Sequence, residues 1–198
     1  MIKTTLTVAL IASLFAIPYA DAGQPRTHDG VFLRLSGGVS FANTEIEDDN
    51  GDTFAFSDMG GHGNFALGGT IANNLMLHGT LWGWDISEAD VEINGQEVDS
   101  NTDVSLGAVG GGLTYYFEPS NIYISGSLGV GQLSFGNDFD DSDTGLAFEA
   151  LLGKEWWVGN SWGLGVAGDL NYHSFPENGV ADNWNAVSFG ILFSATLN

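Results

Sequence analysis

Eight stretches of this chain alternate apolar residues with small or polar ones at a period of two. Each is longer than an ordinary soluble strand. The last is the clearest: Val187, Phe189, Ile191, Phe193, Ala195 and Leu197 point one way, and Ser188, Gly190, Ser194 and Thr196 the other. Trp162, Leu164, Val166, Leu170 and Tyr172 likewise oppose Gly163, Gly165, Ala167, Asp169, Asn171 and His173. Near the start, Val31, Leu33, Leu35, Val39 and Phe41 oppose Arg34, Ser36, Gly38 and Ser40. A period of two is the mark of a β-strand with two unlike faces. The segments are 30–42, 63–72, 75–86, 104–117, 121–135, 145–158, 161–174 and 185–198. Their lengths of about 10 to 16 residues suit tilted strands that cross a bilayer, where about 9 to 11 are needed. In the second and third strands the faces stay open: Leu75, Leu77 and Leu81 oppose Met76, His78, Trp82 and Trp84.

The connections alternate short and long. Asn73-Asn74, Glu118-Pro119-Ser120 and Gly159-Asn160 are short turns. The long ones hold most of the charge. Of 25 Asp plus Glu, six fall in 45–58, seven in 85–103, four in 138–143 and two in 177–182. A soluble barrel, apolar inside and polar outside, would spread charge over its outer face. Short turns at one rim and long polar loops at the other instead predict an all-β, eight-stranded, antiparallel up-and-down transmembrane β-barrel. Against the acidic residues stand only 4 Lys plus Arg, which excludes nucleic acid as a partner.

The N-terminus predicts export. Lys3 precedes an apolar run from Leu6 to Ile17, and Tyr19-Ala20-Asp21-Ala22 supplies a small-residue cleavage pattern. Residues 1–22 read as a signal peptide and 23–198 as the barrel domain. The chain has no Cys, so neither disulfides nor a lipidated cysteine enter. Aromatic residues crowd the strand ends. Tyr115, Tyr116, Phe117, Tyr123, Trp156, Trp157 and Trp162 flank the short turns, and Trp82, Trp84, Phe135, Tyr172 and Phe175 lie near the long loops. Two aromatic girdles at the two membrane interfaces are the expectation.

In this pattern the chain resembles the small outer-membrane barrels grouped with the OmpA transmembrane domain and OmpX. Two stretches resemble outer-membrane barrel proteins of myxobacterial type: Tyr115-Tyr116-Phe117-Glu118-Pro119-Ser120-Asn121-Ile122-Tyr123, and Gly153-Lys154-Glu155-Trp156-Trp157-Val158-Gly159 with Trp162-Gly163-Leu164-Gly165. The last strand is similar to the signal read by the barrel-assembly machinery, although it ends in Leu197-Asn198 and not in an aromatic residue. The resemblance implies an outer-membrane location in a Gram-negative envelope, with the bilayer, lipopolysaccharide and that machinery as partners.

Arg34, Glu149, Glu155 and Asp169 are the ionisable groups expected to face the lumen, and buried charges must be paired or hydrated. A static network with Arg34 reaching Asp169 or Glu149 is the simpler reading; a charge-pair gate on a narrow channel is the alternative. Catalysis by a lipid A-modifying enzyme would need a nucleophile, a base and an orienting acid, and His173, Ser174 and Asp169 are the nearest approach. Ser174 should point away from the other two, so no catalytic residue is assigned and the chain reads as non-enzymatic, with no cofactor. Lys154 is expected on the lipid face beside Trp156, its ammonium turned to the interface. Glu47–Asp52 and Asp138–Asp143 are dense in carboxylates but lack the spacing of a calcium loop. Solvated anionic loops are the simpler reading there, weak divalent-cation binding the other. The predicted role is structural or surface-binding.

Overall fold

The computed structural model describes residues 27–47, 50–136, 141–176 and 183–198. Eight strands pair in chain order: β1 (Val31–Glu47), β2 (Thr53–Ala72), β3 (Leu75–Ile93), β4 (Gln96–Phe117), β5 (Ile122–Phe135), β6 (Gly145–Trp157), β7 (Trp162–Pro176) and β8 (Asn183–Leu197). Every neighbour is antiparallel, and β1 closes the sheet against β8. Closure gives each strand a paired neighbour on both sides through the body of the barrel. The turn Asn73-Asn74 joins β2 to β3 as expected, with Asn74 at φ 60°.

The second half of the barrel follows the sequence reading closely, but the first half rises higher. The acidic stretches 45–58 and 85–103 are mostly strand, not loop. β1 and β2 still pair at Glu47 and Thr53, and β3 turns into β4 through Asn94-Gly95 alone. Both turn residues have positive φ, 54° and 71°, as a tight hairpin turn requires. The cause lies in the side chains. Beyond Phe41 the alternation continues with its polarity reversed, so Glu45 and Glu47 face out while Ala42, Thr44 and Ile46 face in. On β3 a break in register between Ile86 and Ala89 shifts the phase, after which Ala89 and Val91 face in and Asp90 and Glu92 out.

The barrel therefore has two zones. In the zone toward the short turns, the outer face is an apolar belt that includes Val39, Leu81, Val109, Leu128, Leu164, Phe189 and Phe193, the last 67% exposed. The inner face there is mixed: Ser40, Asn64, His78, Thr80, Ser125, Ser127, Asn171 and Ser188 are buried beside a smaller apolar cluster with Phe32, Met76, Leu151 and Leu192. Toward the loops the order inverts. Phe56, Trp82, Trp84, Ile86, Val91, Val104, Leu106, Leu133, Phe175 and Trp184 pack as one interior cluster. Aliphatic side chains left in water forgo about 1.5–3 kcal/mol each, so a belt of them asks for hydrocarbon around it.

Two expectations are settled by this arrangement. Leu77 and Leu81 face out, and Met76, His78, Trp82 and Trp84 face in. The aromatic girdle is smaller than the sequence implied: Tyr116 and Tyr123 are fully buried inside, as is Phe175 at the other end. Tyr115, Tyr116 and Phe117 are consecutive, and successive strand residues face opposite ways, so only Tyr115 and Phe117 share the outer face. Trp156 is also exposed, while Trp157 and Trp162 are half-buried.

Candidate functional site

The lumen is the candidate site, because the ionisable groups outside the acidic rims gather there. β1 contributes Arg34 near the short turns, and its pairing partner on β8 is Thr196. The guanidinium is wholly buried. Its Nη2 donates to Ser125 Oγ at 3.0 Å and Thr114 Oγ1 at 3.3 Å. Tyr123 lies against it, with its ring centroid 4.7 Å from the guanidinium carbon, and Phe32 follows at 5.3 Å. Thr114 continues the contacts to His78 Nε2 at 3.0 Å, and His78 Nδ1 meets Thr80 Oγ1 at 2.7 Å. Glu155, the carboxylate on this level, accepts from Tyr116 Oη at 3.0 Å and Thr196 Oγ1 at 2.6 Å.

The expected pairing of Arg34 with Asp169 or Glu149 is not formed. Among the described residues Arg34 makes no ion pair at all. The guanidinium is turned instead to Ser125 and Thr114. Along β8 its pairing position, Thr196, lies six residues from Gly190, the pairing position of Asp169.

The two carboxylates converge instead on His62, a residue the sequence reading passed over. His62 sits on the inner face of β2. Its Nδ1 lies 3.1 Å from Asp169 Oδ2, and its Nε2 lies 3.7 Å from Glu149 Oε1. All three side chains are shut off from solvent. Asn64, next on the same face, donates through Nδ2 to Glu149 Oε2 at 2.7 Å. Asn171 Nδ2 donates to Asp169 Oδ2. The imidazole lies between two carboxylates, nearer to Asp169 than to Glu149. Arg34 thus serves the turn end of the lumen, and His62 its middle.

The arrangement does not bring His173, Ser174 and Asp169 together as catalysis would need. His173 Nε2 accepts from Trp82 Nε1 at 3.3 Å, and its ring stacks on Phe175. Ser174 Oγ accepts from Asn183 Nδ2 at 3.3 Å, away from the lumen. Asp169 is engaged by His62 and Asn171. Among the described residues no three His, Asp or Glu side chains are placed to hold a metal. Of the carboxylate-rich loops, Asp48, Asp49, Asp138 and Asp140 lie outside the described residues, as does the N-terminal segment read as a signal peptide. Lys154 sits near the short turns, donating to Ser120 O at 2.6 Å with Trp156 at 5.7 Å.

No protein-family model and no curated protein sequence matches the chain. Solved structures do. Neisserial surface protein A is 19% identical, with a TM-score of 0.56, covering 85% of this chain and 99% of that one. OprG of Pseudomonas aeruginosa is 16% identical, with a TM-score of 0.52 over 88% of this chain and 100% of its own. The attachment invasion locus protein Ail of Yersinia pestis, bound to the heparin analogue sucrose octasulfate, is 14% identical, with a TM-score of 0.51 over 84% and 99%. At such identities the likeness is one of fold: the chain is built as the small eight-stranded outer-membrane β-barrels are.

Proposed function

We propose that the chain is a closed, non-conducting outer-membrane barrel that serves the envelope by carrying an acidic β-crown on the cell surface. The observation that carries this reading is the filled interior. From the turn end to the loop end, Tyr116, Arg34, Glu149, Asn171, His173, Phe56 and Leu133 are each no more than 2% exposed. Among the described residues, a gate built on Arg34 has no ion pair to break. What the barrel offers its surroundings is its outer surface: an apolar belt for the bilayer and, above it, strands β1–β4 with Glu45, Glu47, Asp90, Glu92 and Glu97 outward. Tyr115, Phe117 and Trp156 at the belt's lower margin suit one membrane interface. The short turns then lie in the periplasm and the crown outside. Export by residues 1–22, insertion by the barrel-assembly machinery and contact with lipopolysaccharide belong to the same reading. Divalent cations bridging the crown to that anionic lipid are part of it. A polyanion such as sucrose octasulfate would be repelled by this crown, so its ligands are of a different class from that one.

Mature protein reconstituted in planar bilayers is expected to show no sustained conductance steps; a steady open channel in the unmodified protein would overturn the reading. The placement of the belt has its own test. Ile191, exposed on the outer face of β8 between Phe189 and Phe193, should lose about 2–4 kcal/mol on change to Arg, the cost of a charge near the bilayer midplane and well beyond the loss in Ile191→Ala. Leu164, paired with Trp156 at the belt's lower margin, should lose less on the same change. Reversible urea unfolding in lipid vesicles reads the difference, and equal losses in Ile191→Arg and Ile191→Ala would remove Ile191 from the hydrocarbon.

A further inference from the structure

The residues just before β1 fold back over the turn end of the barrel. Gly30, at φ 96°, makes the bend, a conformation L side chains rarely adopt. The strand pairing then gives way to two contacts with Thr70 at the end of β2. Its N–H donates to Gly30 O at 3.0 Å, and its hydroxyl donates to His28 O at 3.1 Å. These place the His28 side chain at the mouth of the lumen. The imidazole stacks on Tyr116, with centroids 3.7 Å apart and planes 12° from parallel, and lies 5.1 Å from the Trp157 ring. Its Nε2 meets Asn121 Oδ1 at 3.2 Å, and only 3% of the residue is exposed. Behind it Tyr116 continues by hydrogen bond to Glu155, and Glu155 to Thr196.

A histidine in a chain terminus preceding a barrel strand would ordinarily be solvated, since termini are ordered only where they are tied down. Here the backbone is tied to β2 and the ring is held by groups from β4, β6 and the turn before β5. We propose that Thr27–Gly30 forms a strap across the turn end of the lumen, with His28 as its stopper, so that the chain's own N-terminal segment seals the interior on that side. Naming that side the periplasm rests on the proposed membrane placement; the seal itself does not. The interior is packed by one apolar cluster at the loop end and by a smaller one, with Phe32, Met76, Tyr116, Tyr123 and Leu192, toward the turns, over which the four-residue strap lies. The strap is the layer that can open without dismantling the strands.

The absence of cysteine makes the test direct. Thr196→Cys places a thiol on the inner wall just behind His28, and labelling by a small cationic methanethiosulfonate reagent in detergent micelles reports its exposure. With His28 present the thiol should react slowly. Adding His28→Ala should raise the rate by about tenfold or more, as expected when a local opening is made easier. His28→Phe, which keeps a flat ring over Tyr116, should restore slow labelling. Should Thr196→Cys fail to fold, Ser194→Cys, the next inward position on β8, takes its place. Equal labelling rates with His28 and with alanine, whether fast or slow, would overturn the strap. Heat-modifiable mobility, read on the same samples, reports the membrane-barrel reading separately from the seal.

Discussion

His62→Ala is expected to lower the stability of the folded barrel by about 3 to 5 kcal/mol, the cost of leaving a buried ion pair without one partner. The substitution removes the basic group lying between Asp169 and Glu149, whose side chains are 0% and 1% exposed. Cavity formation alone would not be undone by changing a carboxylate. Here Asp169→Asn or Glu149→Gln, added to His62→Ala, should recover part of the loss, because each removes a charge that has become uncompensated. Arg34→Ala combined with Asp169→Asn should show no such recovery, since the Arg34 guanidinium is held by Ser125 and Thr114 and, among the described residues, forms no ion pair with Asp169. Urea titrations of the single and double variants in the same vesicles give the coupling energies. Additive losses for His62 and both carboxylates would mean that the contacts carry no net pairing energy.

An effect of similar size is expected at the other end of the lumen. Phe56 is 2% exposed and packs against Phe135 and Trp184, with ring centroids 5.4 and 5.8 Å away. Its truncation to Ala should cost about 3–5 kcal/mol, as for a large aromatic in a packed core. Phe41, on the outer face a short way down β1, gives the contrast. Lipid can fill the space left by Phe41→Ala, whereas nothing can fill the space left by Phe56 without the strands moving. Thermal or urea unfolding of the two variants compares them directly. If Phe56→Ala is no more damaging than Phe41→Ala, the loop-end cluster is not a core and the barrel is not closed there.

Strand number, closure and the lipid face of lower β1 and of β6 to β8 were readable because one polarity rule, apolar residues outward, holds along the parts of those strands that the sequence segments covered. The extended tops of β1 to β4 were not, for a physical reason. Ile46, Phe56 and Val91 stand in phase with an apolar interior, and a search for apolar residues facing outward treats them as loop. His62 was missed because the second strand was begun at 63. Asp58-Met59-Gly60-Gly61-His62-Gly63 reads as a turn, and the break in register between Ser57 and Gly61 interrupts the alternation there. Arg34, Glu149, Glu155 and Asp169 are buried, but Arg34 does not meet the partners the sequence suggested for it. Strand order says which elements adjoin; only the register says which residues share a level. The same limit produced the oversized aromatic girdle, since clusters such as Tyr115-Tyr116-Phe117 divide between the two faces.

The central claim is that the inner and outer faces exchange polarity at the upper membrane boundary, with hydrocarbon below it and water above. Single cysteines, introduced into a chain that has none, can carry nitroxide labels whose collision rates with oxygen and with a water-soluble nickel chelate report their surroundings. Labels at Val39, Leu81, Val109 and Phe189 should favour oxygen, and labels at Glu45, Asp90 and Glu97 the nickel chelate. The crossover on β1 should fall between Phe41 and Asn43. Nickel-dominated collisions at Leu81, Val109 and Phe189 in reconstituted bilayers would contradict the account, because the apolar belt would then face water.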